Sequence, residues 1–521
     1  MNKATTTTGE SRPSRLEGNR HPLLLEVNTR VLLNELSRAA GKRVMLGSIP
    51  DALLDRWADL GFDAVWFMGV WTTGTAGLKL ARISPDLENE YRRVLPDFKT
   101  ADVSGSPYAV KSYTVSPACG GAQGLARLRK RLAGRGLGLV LDYVVNHTAT
   151  DHAWVGQHPE YYVGGTADQL RADPGSWFSV RGTKGVRVLA HGRDPMFPAW
   201  TDTAQINHLH AGGRKAMIRT LCSIAEQCDG VRADMAMLVL RDVFQRQWGE
   251  TAMPDAKDRA AGEFWSEAIN AVRKDYPGFL FIAEAYWDLE WQLQQLGLDY
   301  TYDKKLYDRM RHEGSSSVRD HLRAEMPYQL HSLRFIENHD EPRAAAVFKP
   351  EPWHYASAVV MLTIPGMALL HDGQMEGRTQ KVPVQLNRRP EEPVAEQTQH
   401  FYERLLRCLN DRGMKRGDWK MLEIRPAWHD NSTWEACLAF CWHGGNGCVR
   451  FIVVNYSPHS SQCYISVPLE EVEGPSLEFR DLMSEAVYVR DRQGLASKGM
   501  YVDLPGYGFY VFSVSSVQRF S

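Results

Sequence analysis

Net charge, long apolar runs and paired cysteine motifs are all scarce in this 521-residue chain. Lys and Arg number 61 against 62 Asp and Glu, a balance of -1, so no bulk field draws the protein to nucleic acid or to an anionic membrane. The expected partner is neutral. No stretch reaches the roughly 20 apolar residues that span a bilayer. The first 22 residues, MNKATTTTGESRPSRLEGNRHP, lack the apolar core of a secretory signal. A cytoplasmic location and a disordered tail over residues 1–22 are the resulting expectations. The eight cysteines include no C-x-x-C pair. Cys119, Cys222, Cys228 and Cys408 are scattered through a large domain, while Cys437, Cys441, Cys448 and Cys463 fall late, with Cys437 and Cys441 on one face of a strand-like segment. Reduced thiols are expected there rather than zinc. Neither Gly120-Gly121 nor Gly373 to Gly377 is followed by Lys-Ser/Thr, which argues against a phosphate loop and a nucleotide site.

What the chain has is alternation. Pro50 opens a helix carrying Leu53, Leu54, Trp57 and Leu60, Gly61 ends it, and Ala64 to Met68 reads as a strand. The same order recurs with Leu125, Leu128 and Leu132 before Leu137 to Leu141, and with Met217, Leu221 and Ile224 before Gly230 to Ala233. It recurs again with Trp265, Ile269 and Val272 before Leu280 to Ala283. Leu24 to Val27, a weak segment near Leu298, Leu333 to Ile336 and Met367 to Leu370 bring the strands to about eight, which predicts a closed (β/α)8 TIM barrel over 23–145 and 211–412. Between the third strand and a helix near Arg214 the chain runs far beyond the ~15 residues of an ordinary loop, and it is rich in aromatics, Pro and Gly. A small inserted domain over 146–210 is expected. After residue 412 the helical period vanishes, and segments such as Cys437 to Trp442, Val449 to Tyr456 and Phe509 to Val514 predict a C-terminal antiparallel β-sandwich reaching residue 521.

In a parallel barrel the carboxyl ends of all strands share one face, so polar residues there converge despite distant numbers. The third strand closes on Asp142 and leads to Asn146-His147, the fourth on Arg232-Ala-Asp234, the fifth on Glu284, and the seventh on Asn338-His339-Asp340. Taken singly, Asp142 is as well explained as a structural hydrogen-bond partner, and Asp234 or Glu284 as a surface carboxylate. Four polar strand ends together point to a site. Cleavage of a glycosidic bond with retention needs two carboxylates about 5 Å apart, one ionised as nucleophile and one protonated as acid. Arg232, two residues before Asp234 on one strand, faces the same way and favours the anion. Asp340, His339 and His147 suit stabilisation of an oxocarbenium-like transition state and recognition of ring hydroxyls.

DYVVNH (142–147), GVRAD (230–234), IAEAYW (282–287) and ENHDE (337–341) resemble, in order, the four signature segments of the α-amylase family of retaining glycoside hydrolases and transglycosylases. SPYAVKSY (106–113) and DTAQINH (202–208) are similar to two further stretches of that family, and the resemblance spans about residues 23–375. It implies Asp234 as nucleophile, Glu284 as general acid/base and Asp340 as transition-state stabiliser. It further implies that Tyr108, Asp142, His147, Arg232 and His339 receive the non-reducing-side glucose, that no cofactor is required, and that calcium, through Asn146, is the metal to consider. α-Linked glucose oligosaccharides are the implied substrates, with hydrolysis and transfer both open, and a disaccharide isomerase as an alternative. Two positions depart from the family pattern. Met237-Leu238 stand where many members carry Lys-His, and HDGQMEGR (371–378) replaces a more usual aromatic-Gly-Glu segment.

Among the aromatics near the expected mouth, Trp287 is the best candidate to stack on a pyranose face, whereas Trp66 and Trp71 are as well explained as core. A catalytically inactive relative is disfavoured because Asp234, Glu284 and Asp340 are all present. A barrel metalloenzyme is disfavoured because Arg232 would compete with a metal for the same carboxylates.

Overall fold

The apolar runs bounded by glycine and proline do form a barrel. The computed structural model describes residues 18–182, 185–410, 412–444 and 448–517. Eight parallel strands close in chain order: β1 (Leu23–Asn28), β2 (Ala64–Met68), β3 (Gly138–Val144), β4 (Gly230–Asp234), β5 (Leu280–Ala283), β6 (Tyr300–Tyr302), β7 (Ser332–Arg334) and β8 (Met367–His371). β1 pairs with β8 on one side and β2 on the other, which completes the ring. Helices Asp51–Asp59, Gly121–Ala133, Ala211–Ala225, Phe264–Arg273 and Glu351–Thr363 each precede a strand. Four of them turn a stripe such as Leu125, Leu128 and Leu132 inward. Glu351–Thr363 is buried along most of its length, because the C-terminal domain packs on its other side: Trp442 Nε1 donates to the Thr363 carbonyl at 2.7 Å.

Two strands sit differently from the sequence expectation. β6 begins two residues past Leu298, at Tyr-Thr-Tyr, too short and polar to stand out by pattern. β3 runs on to Val144, so Asp142 lies within the strand, in register with Arg232 of β4, rather than at its end. Residues 18–22, expected in the disordered tail, are docked. The buried His21 ring bonds the Leu362 and Gly366 carbonyls at 2.8 and 3.1 Å, and Asn19 Nδ2 donates to Asp63 at 3.2 Å. Residues 1–17 of that tail lie outside the described residues.

Two excursions leave the carboxyl face of the barrel. After β2, a hairpin of Trp71–Thr73 with Val110–Val115 encloses helices Thr75–Ile83 and Pro85–Val94 around a small core of Ala81, Tyr91, Leu95, Val103 and Leu386. Sequence periodicity did not mark this unit off from the barrel. After β3, strands Trp177–Gly182 and Gly185–Ala190 with Gly164–Gly165 form a three-stranded sheet, and His147–Ala149 pairs with Thr203–Gln205. The C-terminal region is all antiparallel, one six-stranded sheet facing one of three strands, with a separate core that includes Cys437, Phe451, Cys463 and Phe512. The described cysteines are free thiols, and the Cys448 side chain lies outside the described residues.

Gly366 shows how tightly the seventh and eighth strands are joined. Its φ is +105°, and a Cβ there would lie 2.3 Å from the Ser332 carbonyl oxygen and 2.7 Å from that of Gln329. Gly366→Ala combines a forbidden backbone with a backbone clash, so urea unfolding should show a loss of at least about 2 kcal/mol.

Candidate active site

The expected acids meet around one buried cation. Arg232 and Asp234 alternate with Ala233 on β4 and therefore face the barrel interior together. Arg232 Nη1 donates to Asp234 Oδ1 at 2.7 Å, Nη2 pairs with Glu284 Oε2 at 2.9 Å, and Asp340 Oδ2 lies 4.0 Å from Nη2. The guanidinium is fully buried and surrounded by rings, with its carbon 5.1 Å from Trp66, 5.4 Å from Tyr108 and 5.5 Å from Tyr302. Low surrounding polarity makes each of these pairings stronger than in water.

Each acid has its own environment. Glu284 follows β5 immediately, its amide bonded to the Ala233 carbonyl. Its side chain accepts from the Met235 amide at 2.6 Å and from the Tyr286 hydroxyl at 2.8 Å. Met235 reaches that position with φ +45°, a left-handed conformation unusual for a side chain of its size. Burial and the charge of Glu284 raise the Asp234 carboxyl to about 7, against the opposing pull of Arg232. The net effect is opposite to the expectation that Arg232 keeps this carboxyl ionised: burial and the neighbouring Glu284 charge outweigh the guanidinium.

Asp340 is tuned the other way. Burial raises its carboxyl, but His339, whose Nε2 is 2.9 Å away, outweighs that and holds it well below the usual carboxylate range. Although burial lowers His339, it titrates at about 10 because Asp340 on one side and Glu26 on the other, at 2.5 Å from Nδ1, stabilise the imidazolium. Glu26 is a buried carboxylate in the middle of β1 that motif reading passed over. Its signal was plain: a glutamate inside the apolar run Leu23-Leu-Leu-Glu-Val. Tyr302, which accepts from Arg232 Nε at 3.2 Å, was hidden by the weakness of β6.

A cleft of about 880 Å³ opens above these groups. Tyr108, His147, Asp234, Glu284, Trp287 and Asp340 line it. Arg232 and His339 sit one layer beneath, holding the acids rather than facing the cleft. Asp142, expected against the sugar, is behind the wall: Trp66 Nε1 donates to one oxygen at 2.9 Å and the Gly69 amide to the other at 2.6 Å. Because β3 extends past it, both oxygens are spent on the protein. His147 is neutral, burial lowering it to about 3, and its ring lies 5.1 Å from Trp200 across the cleft wall. Trp287 is 41% exposed at the mouth, set there by two consecutive left-handed residues, Trp287 (φ +65°) and Asp288 (φ +60°), and Asp288 pairs with Lys305 at 2.5 Å. Trp66 and Trp71 are fully buried, as core residues are.

FIENHDEPR splits its three carboxylates. Asp340 and Glu341 reach the cleft, whereas Glu337 is a buried anchor that accepts from Arg343 at 2.6 Å and from the Ala344 amide at 2.7 Å. His371, from the unusual segment after β8, packs on the same carboxylate at 3.2 Å. Met237 and Leu238 are buried in the short turn Ala236–Val239 and do not reach the cleft. Asn146 does not fit a calcium site. Its carboxamide is closed on Gln205, donating to Oε1 at 3.2 Å and accepting from Nε2 at 2.9 Å. Among the described residues no group of three or more His, Cys, Asp or Glu is gathered to hold an ion.

With this geometry in place, comparison with known proteins is decisive. A family model described as alpha amylase, catalytic domain, matches residues 52–414. The chain belongs to the α-amylase family. Alpha-amylase MalA of Haloarcula japonica is 24% identical over 252 residues, which is 47% of this chain but 32% of that protein, so the chain spans about a third of this curated relative. Among solved structures, a noncanonic maltogenic alpha-amylase, AmyB, from Thermotoga neapolitana aligns over 96% of this chain and 99% of its own, with a TM-score of 0.66 at 18% identity. A cyclic alpha-maltosyl-(1→6)-maltose hydrolase from Arthrobacter globiformis aligns over 90% of both chains, with a TM-score of 0.59 at 15% identity. At such identities the structural likeness is one of fold.

Two outcomes test the electrostatics. Below about pH 7 the expected nucleophile Asp234 is protonated, so kcat/KM should fall about tenfold per pH unit below it. In Glu284→Gln, assayed with an aryl glycoside whose leaving group needs no proton, that limb should move to lower pH, because the charge that raises Asp234 is gone. Glu26→Gln leaves the buried His339 imidazolium with one counter-charge instead of two, and thermal melts should show about 3 kcal/mol of destabilisation together with a reduced kcat.

Proposed function

We propose that this protein cleaves α-glucosidic bonds of maltooligosaccharides or short α-glucans by double displacement with retention. The observation that carries the reading is the meeting of Asp234, Glu284 and Asp340 around one buried guanidinium at the floor of an open cleft. Bonding to the same Arg232 supports a spacing on the ~5 Å scale of a nucleophile and acid/base pair. Asp234 attacks the anomeric carbon while Glu284 protonates the leaving oxygen. Glu284 then deprotonates the acceptor that releases the glycosyl group. Asp340, held ionised by His339, faces the positive charge that develops at the sugar ring. No step calls for a cofactor.

Water and a second sugar compete for the same intermediate, and a few kcal/mol of acceptor binding decides between them. A transfer reading is favoured by the apolar furniture of the mouth. Trp287 faces the cleft together with Met196 and Phe197 of the inserted domain, which are 72% and 69% exposed. Such a surface suits a sugar acceptor better than it suits water. The size and openness of the cleft favour oligosaccharides over a disaccharide isomerase, which must seal its intermediate from water. A cytoplasmic site of action completes the proposal.

Incubation with maltoheptaose and chromatography of the products tests both readings. Shorter maltooligosaccharides of retained anomeric configuration support cleavage, and chains longer than seven glucose units appear only with transfer. Asp234→Asn should lose more than about 10³-fold in kcat, and near wild-type activity in that variant would remove the nucleophile.

A further inference from the structure

A second cavity, of about 490 Å³, lies away from the catalytic cleft, between the helix after β1 and the excursion after β2. Its lining is lopsided. Four arginines, Arg30, Arg38, Arg43 and Arg82, face it, and no aspartate or glutamate does. Among the described residues, only Arg38 of the four forms an ion pair with a carboxylate, Glu391 at 2.8 Å on the exposed rim. Arg30 donates to the Gly105 carbonyl and the Thr73 hydroxyl, Arg43 to the Ala118 carbonyl at 3.3 Å, and Arg82 to the Val103 carbonyl at 3.2 Å. Carbonyl dipoles orient a guanidinium without neutralising it.

Two of the nearby acids are held by other arginines. Arg389 takes both oxygens of Glu35 at 2.6 Å, and Arg388 takes both of Asp102 at 2.8 Å. Gathering like charges in a concave, partly desolvated site costs energy that a bound anion returns. Burial pulls the Arg30 guanidinium below the usual value, against the charge of Asp142. Guanidinium forks match phosphate oxygens in a bidentate manner, and a phosphate monoester brings about two negative charges at neutral pH. The cavity is larger than one phosphate needs and within the ~300–1,000 Å³ of small-molecule pockets. The rest of its lining mixes polar side chains such as Asn34, Thr73 and Ser104 with apolar ones such as Leu33 and Leu78, which suits a body that carries hydroxyls beside C–H faces.

We propose that the cavity lined by Arg30, Arg43 and Arg82 binds a small phosphorylated molecule with a polar body, of the sugar monophosphate class, at a site separate from the catalytic cleft. The assignment stands on the cavity's own charge and shape and does not depend on which glucan is cleaved.

Titration calorimetry on the full chain, with glucose 6-phosphate, inorganic phosphate and glucose as probes at constant ionic strength, tests it. The ester should bind, inorganic phosphate should bind at least tenfold more weakly, and glucose should not compete with the ester. Arg43→Ser/Arg82→Ser, both at exposed positions, should lower affinity for the ester at least tenfold while leaving cleavage of maltoheptaose unchanged. Asp234→Asn should bind the ester as the wild type does. Unaltered affinity in the double variant, or loss of binding in Asp234→Asn, would overturn the site. Equal affinity for inorganic phosphate would overturn the sugar-phosphate class.

Discussion

Everything in the catalytic floor depends on placing one positive charge where water cannot reach it. Arg232 is buried among three aromatic rings and bonded to two acids, with a third at the edge of reach. A guanidinium there cannot lose its proton, so its charge is a constant against which every neighbour titrates. The acids then divide by environment. Asp234 is pushed upward by burial and by Glu284, while Asp340 is held down by an imidazolium that is itself clamped from behind by Glu26. Neighbouring carboxyls in one cleft are thus given different proton affinities by the groups that lie behind them.

The barrel was legible because it repeats. Seven of its strands stand out as apolar runs, four of them straight after helical stretches, and burial on both faces explains why they alternate so little. β6 was faint because Tyr-Thr-Tyr is short and its hydroxyls carry function, Tyr302 touching Arg232. The excursion after β2 was missed for a different reason: its helices look like barrel helices until a separate small core shows where they pack. Periodicity reports that a helix has an apolar face and is silent about which core that face meets.

Site residues were legible where the chain ends a strand and obscure where it does not. Asp234 and Glu284 mark strand ends and reach the cleft. Asp142 reads as a strand end because the apolar run stops at Leu141, whereas the ladder continues through Val144 and seals the carboxylate behind Trp66 and Gly69. Glu26 had the converse fate. A charge inside an apolar strand invites dismissal as an irregularity, yet a buried carboxylate persists only with a partner, and here the partner is His339. Asn338, one of the polar residues that follow the seventh strand, forms the turn there, its carboxamide accepting from the Asp340 and Glu341 amides at 2.9 and 2.8 Å.

The stitch between Asn146 and Gln205 has a consequence of its own. It fastens the inserted domain to the end of β3 with two neutral carboxamides, reinforced where Gln205 donates to the Asn146 carbonyl at 2.9 Å. Neither group ionises in water and neither needs an ion to bridge it. The upper lip of the cleft is therefore latched by a seam that holds no ionisable side chain, while the floor below it is built from groups that trade protons.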